Sequence, residues 1–164
     1  LVEDKKLVLG AFWLPRLNEF WYVEKGLGAF KNGLRLPPRE ACSPSYDEVV
    51  LLPSRFHRVG PLDWPGKVRV LGSSAAHLAI VAMGGAAATI IPRWCLWDVG
   101  CGVLLAEETG HRVCTIDGLA ISVVEQQGLP FMVGAPNTID YLLAHGRLER
   151  VRARMVKQRG GQER

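Results

Sequence analysis

An Asn32-Gly33 pair stands between the short apolar flanks Ala29-Phe30 and Leu34-Arg35-Leu36. Both residues tolerate positive φ, which a two-residue hairpin turn requires, so the segment reads as a tight reversal between strands. Upstream, Leu7 to Leu14 is a near-continuous apolar run, as in a strand covered on both faces. Pro15-Arg16-Leu17-Asn18 reads as a turn, and Glu19 to Val23 as a strand rich in aromatics. The first 36 residues therefore predict an antiparallel meander.

The pattern then changes. Pro37 to Pro44 reads as a loop, Val49 to Leu52 and Val68 to Leu71 as short strands, and Ser54 to Lys67 carries Pro61 and Pro65, which argue against a long helix. Ser73 to Met83 is Ala-rich and helical, stopped by Gly84-Gly85, and Ala86 to Ile91 is an apolar strand. Trp97 to Thr109 predicts a helix with Gly110 just past its end. Arg112 to Ile116 and Phe131 to Val133 follow as strands, then a helix from Thr138 to about Arg154 with Asn137 as its N-cap. A meander followed by alternating strand and helix indicates a layered α/β (α+β) fold. Residues 1–150 read as one unit, and 151–164 as a basic tail.

A chain of 164 residues with 48% apolar and 22% charged residues is ordinary for one globular domain. No run of eighteen apolar residues is present, which excludes a membrane-spanning helix, and no secretory leader pattern opens the chain. The first residue is Leu1 and the opening segment already reads as mid-domain, so the expectation is a fragment. Cys42, Cys95, Cys101 and Cys114 form no C-x-x-C pair and have no finger-like His spacing. They read as buried reduced thiols of a cytoplasmic protein rather than a zinc site.

The net charge of +4 is a C-terminal feature, because the residues from Arg147 onward carry a balance of +5. No aromatics interleave these basic residues, so a solvated helix end is expected and a nucleic-acid surface is not. Trp13, Trp21, Trp64, Trp94 and Trp97 read as packing groups, and His57, His77, His111 and His145 as surface or packing residues. Glu107 and Glu108 are expected to face solvent.

Two places can carry chemistry. At Gly72-Ser73-Ser74 a strand runs into small residues and a helix begins. Free amides and the positive dipole end suit a phosphate there, although Ser as a simple cap fits equally. Asp98 opens a second apolar helix, where an acid can satisfy amides or hold a metal against an anionic ligand. Behind it, Gly100 and Gly102 disfavour helix by up to about 1 kcal/mol each. Close helix packing or close approach of a ligand would compensate.

Gly72-Ser73-Ser74-Ala75-Ala76, an Ala-rich helix, Gly84-Gly85, an apolar strand, and Trp97-Asp98-Val99-Gly100-Cys101-Gly102 with Glu107-Glu108-Thr109-Gly110 resemble the C-terminal signature of the inositol monophosphatase family. Gly26 to Gly33 resembles that family's Gly-x-Gly-Ala-Phe-x-Asn-Gly hairpin. The resemblance implies a Mg2+-dependent phosphomonoesterase with an α-β-α-β-α sandwich, incomplete here at its N-terminal side. It implies Asp98 as a metal ligand and Gly72, Ser73 and Ser74 as substrate contacts. It further implies a small phosphorylated sugar or cyclitol as substrate, and a homodimer when full-length.

The family's other metal ligands, an upstream Glu and an Asp-Pro-x-Asp-Gly-Thr motif, have no counterpart in this sequence. The resemblance therefore places the catalytic residues upstream of Leu1 and none within the chain. Thr115-Ile116-Asp117-Gly118 only superficially resembles that motif, and Ile91 stands where inositol-phosphate-specific members carry a Glu. Two readings follow: a phosphatase whose portion here is inactive alone, or a binding module that kept the fold and lost the metal site.

Overall fold

The computed structural model describes residues 1–38, 44–58 and 60–151. Cys42, most of the expected loop around it, and the basic tail from residue 152 onward lie outside the described residues.

The meander forms as its sequence predicts. A small hairpin, β1 (Val2–Glu3) and β2 (Lys6–Leu7), leads into a four-stranded antiparallel sheet in the order β3 (Leu9–Leu14), β4 (Glu19–Glu24), β5 (Gly28–Lys31), β6 (Leu34–Arg35). Asn32 and Gly33 take φ of 49° and 80°, the left-handed pair that lets two strands reverse without splaying. The Asn32 side chain also locks the sheet edge. Its Oδ1 accepts from the Phe20 amide at 2.7 Å and its Nδ2 donates to the Asn18 carbonyl at 3.2 Å, tying both turns of the meander together.

A second, five-stranded sheet follows in the order β10 (Arg112–Thr115), β11 (Phe131–Gly134), β9 (Ala88–Ile91), β7 (Val49–Leu51), β8 (Lys67–Arg69). β7 runs parallel to both β8 and β9, while β11 pairs antiparallel with β9 and β10. Two helices, α1 (Ser74–Ala82) and α2 (Leu96–Glu108), lie between the sheets. On one side Ala79, Ala82, Leu104 and Leu105 bury Trp21 and Val23 of the meander. On the other, Leu78, Val81, Val99 and Val103 pack on Leu51, Ile91, Phe131 and Val133. A third helix, α3 (Pro136–His145), covers the opposite face of the five-stranded sheet through Ile139 and Leu142 against Val50, Ile90 and Met132. The described residues thus stack as sheet, helix pair, sheet, helix. This is an α+β sandwich, and these are four of the five expected layers.

Some expectations need correction. Leu7 to Leu14 is not one strand covered on both faces. It divides into β2 and β3, and β3 alternates, with Gly10, Phe12 and Leu14 turned inward and Leu9, Ala11 and Trp13 exposed. Together with Phe20 the last forms an uncovered aromatic face, on which Tyr22 and Phe30 stack at 4.8 Å. Trp13 and Trp97 are therefore not packing groups, being 59% and 82% exposed, whereas Trp21, Trp64 and Trp94 are buried. The last helix begins two residues early, with Pro136 in its first turn, and breaks at Gly146; residues 149–151 are helical again, and the rest of the expected span to Arg154 lies outside the described residues. Glu108 does not simply face solvent, since its Oε1 accepts from the Gly26 amide at 2.8 Å and ties α2 to the meander.

Candidate functional site

β7, β8 and β9 are parallel, so their carboxyl ends share one edge of the sheet. The chain leaves β8, passes through α1 over β7, and enters β9 on the far side. α1 starts just after β8 and α2 just after β9, so both helix N-termini face that edge. Open α/β sheets bind ligands in the crevice outside their strand carboxyl ends.

The contact between the two helices sets how close these termini come. A Cβ at Gly102 would lie 2.8 Å from Leu78 Cδ1, so the glycine is what lets α1 approach. Gly102 and Leu78 are thus opposed, in helices whose axes pack about 8–10 Å apart. One turn towards the N-terminus from each lie Asp98 on α2 and Ser74 on α1. The neighbouring small residues have the same explanation. A Cβ at Gly100 would press on Leu7 at 3.3 Å, and Cys101 packs under Gly10. Helix and sheet packing is the compensation for the two glycines, and burial pushes the Cys101 thiol up to about 12.

At the α1 end, Gly72 takes φ +81°, a conformation that side-chain-bearing residues rarely adopt, and it turns the chain from β8 into the helix. Ser73 is the N-cap, its Oγ accepting from the Ala76 amide at 3.3 Å, and its carbonyl accepts from the His77 amide at 3.0 Å. The Ser74 and Ala75 amides have no partner among the described residues. They are orphan donors at the positive end of a nine-residue helix. Ser54, on the loop after β7, sits beside the turn, its Oγ 3.7 Å from where a Gly72 Cβ would stand.

His77 has a larger part than packing. It is 2% exposed, and its Nε2 accepts the Leu71 amide at 3.1 Å while its Nδ1 lies 3.4 Å from Thr89 Oγ1 on β9. An acceptor Nε2 fixes the neutral tautomer with the proton on Nδ1, directed at Thr89. Burial lowers the pKa of this imidazole, in keeping with a neutral ring. Sequence reasoning missed this role because Thr89 is brought to His77 only by the crossover. The local signal was a His four residues past the capping Ser73.

Asp98 is solvent-exposed in the first turn of α2, and its carboxylate has no hydrogen bond or ion pair among the described residues. A cleft of about 310 Å³ between β1–β3 and α2 is lined by Leu1, Leu9, Gly10, Leu96, Trp97 and Cys101, and Asp98 is not among its lining residues. Among the described residues no group of three or more His, Cys, Asp or Glu side chains could hold a metal ion. Ile91 is 1% exposed and packed in the core against the helices, so it offers the edge no polar group.

Residues 1–153 match the model of the inositol monophosphatase family. The chain belongs to that family. It is 31% identical over 128 residues to a fructose-1,6-bisphosphatase/inositol-1-monophosphatase of Thermotoga maritima, covering 71% of this chain and 47% of that protein. It is 30% identical over 141 residues to an inositol-1-monophosphatase of Caulobacter vibrioides, covering 77% and 54%. The chain thus spans about half the length of these curated relatives. Among solved structures, the inositol monophosphate bound form of a staphylococcal IMPase-II superposes with a TM-score of 0.80 at 16% identity, over 99% of this chain and 65% of that one. The 2'AMP-bound form gives 0.81, also at 16% identity, over 98% and 64%. At such identity these neighbours speak to the fold alone. No helix among the described residues is long and apolar enough to cross a membrane.

Proposed function

We propose that this chain supplies the phosphate-binding edge of a Mg2+-dependent phosphomonoesterase acting on a small phosphorylated sugar or cyclitol. The observation that carries this reading is the shared edge, where Gly102–Leu78 packing brings the Ser74 and Ala75 amides and the unpaired Asp98 carboxylate to neighbouring helix starts. In this reading a phosphate monoester accepts hydrogen bonds from the orphan amides and rests in the positive field of α1. The left-handed Gly72 turn, without a side chain, leaves the backbone open to it. Ser73 caps the helix and acts by holding the turn, while Ser74 is the serine nearer the ligand.

Asp98 suits Mg2+ as a partial shell, because this hard cation is commonly held by one or two carboxylates plus substrate phosphate oxygens and water. When bound it would neutralise phosphate charge and lower the pKa of a water. One carboxylate does not complete a hydrolytic centre, and the described residues offer no cluster of metal ligands. This chain's own part is accordingly to bind and orient the phosphate. The names of the relatives support inositol phosphate and fructose bisphosphate as the substrates to try first. Ile91 supports a substrate that needs no carboxylate contact from that position. Among the described residues the free thiols Cys95, Cys101 and Cys114 support a reducing, cytoplasmic setting. The homodimer implied by the resemblance belongs to the same proposal.

The buried Ile91, standing where the resemblance expects a Glu, favours a second reading, a binding module that retains the phosphate edge without turnover. Phosphate release from myo-inositol 1-phosphate and fructose 1,6-bisphosphate by the full-length gene product, with and without Mg2+, separates the two. Mg2+-dependent release supports the phosphatase. A folded full-length protein that binds these esters but releases nothing supports the binding module.

A further inference from the structure

We propose that a cavity at the far end of α2 from Asp98 binds a small zwitterion, an α-amino acid with an aliphatic side chain. Glu107 takes its ammonium group, Lys6 and Lys25 take its carboxylate, and an apolar floor takes its side chain. The cavity measures about 170 Å³, smaller than the roughly 300–1,000 Å³ of clefts for drug-sized ligands. Four separate stretches of chain meet there: the β1–β2 hairpin, the turn after β4 at Lys25, the last two turns of α2 at Val103 and Glu107, and residues 121–124 between β10 and β11. Each wall is fastened from outside the cavity. Lys5 Nζ meets Glu125 at 3.1 Å and joins the hairpin to the loop. The Gly26 amide, donating to Glu108 Oε1 at 2.8 Å, joins the turn to α2. The Ser122 amide donates to Gln126 Oε1 and the Gln126 amide to the Ser122 carbonyl, both at 2.8 Å, which closes the loop on itself. The floor is apolar, with half-buried Leu7 beside buried Val103 and Val123.

The charges round this floor do not neutralise one another. Lys5 and Glu108 are engaged as described, but the side chains of Lys6, Lys25 and Glu107 make no hydrogen bond or ion pair among the described residues. Partial burial pushes the pKa of the Glu107 carboxyl up, while the Lys25 charge pulls it down and Glu108 adds to the rise. Lys25 is thus felt by Glu107 without pairing with it. Glu107 also stands in the last turn of α2, at the negative end of the helix, which favours a cation beside it. The two lysines disfavour a metal ion there, and Glu107 disfavours a simple anion. Opposite charges held apart over an apolar floor match a ligand that carries both charges and an aliphatic group.

The experiment is a titration of the folded 164-residue chain with L-leucine, followed by amide 15N–1H shifts. Two analogues run beside it: 4-methylpentanoate, which lacks the ammonium group, and 3-methylbutylamine, which lacks the carboxylate. Leucine should give saturable shifts centred on Glu107 and residues 121–124. Each analogue should bind about tenfold more weakly, the scale of one lost charge-assisted hydrogen bond. Glu107→Gln should weaken leucine about tenfold and leave 4-methylpentanoate unchanged. Lys25→Met should weaken leucine and leave 3-methylbutylamine unchanged. Both substitutions fall on exposed residues, and the unchanged analogue shows in each case that the cavity keeps its shape. The absence of saturable shifts at residues 121–124 up to the solubility limit of leucine would overturn the proposal. So would 4-methylpentanoate binding as tightly as leucine, leucine binding untouched by Glu107→Gln, or inorganic phosphate shifting the same amides at equal concentration, which would mark a plain anion site.

Discussion

Leu78 of α1 packs directly onto Gly102 of α2, and no side chain fits between them. This contact sets the spacing of the two helix starts that carry Ser74 and Asp98. Replacing Gly102 with Ala should gain up to about 1 kcal/mol of helix propensity and lose about 1–3 kcal/mol to overpacking. Because the obstruction includes the Leu78 Cβ and not only a flexible tip, the loss should prevail. Urea unfolding should show a net destabilisation of about 1–2 kcal/mol, and equal or greater stability would show that the helices can separate without cost.

His77 makes stability depend on pH in a stated direction. Burial lowers its pKa below the ordinary 6.5, so the fold prefers the neutral ring. The contribution is fully present above 6.5, where the unfolded chain is also neutral, and is lost as pH falls below 6.5 through the lowered folded value. Unfolding free energy measured against pH should therefore fall on acidification in this window for the wild type. The slope should be smaller in His77→Gln, and an unchanged slope would remove His77 as its source.

The outer face of the meander predicts association. Trp13 and Phe20 are cross-strand partners, 59% and 47% exposed, beside the stacked Tyr22 and Phe30. Contiguous apolar patches of this kind drive contacts. The 164-residue chain should self-associate in sedimentation at micromolar concentration, and Trp13→Thr with Phe20→Thr should shift it towards monomer. A wild-type monomer would contradict this.

How far the sequence foretold the fold follows from where each signal lies. The Asn32-Gly33 reversal, the Ser73 cap and the start of α2 are local, and each forms as expected. The two faces of β3 were hidden because Leu9, Ala11 and Trp13 outward are as apolar as Gly10, Phe12 and Leu14 inward, so no period of two appears. At the start of α3 two local signals compete, Asn137 as a cap and Pro136 in the first turn, and the structure follows Pro136. In sequence Gly102 fits packing and ligand approach equally, and the Leu78 contact decides for packing. The His77–Thr89 pairing depends on a crossover connection and has no local signature.

The central claim, that Asp98 and the Ser74–Ala75 amides serve one phosphate, is tested most directly by phosphate titration with and without Mg2+. Amide shifts are read in the wild type and in Asp98→Ala. That variant should fold normally, since an exposed first-turn acid contributes only about 0.3–1 kcal/mol. Phosphate should shift Ser74 and Ala75 in both proteins, and Mg2+ should tighten binding in the wild type alone. Phosphate shifts elsewhere, or a Mg2+ effect that survives Asp98→Ala unchanged, would contradict the account.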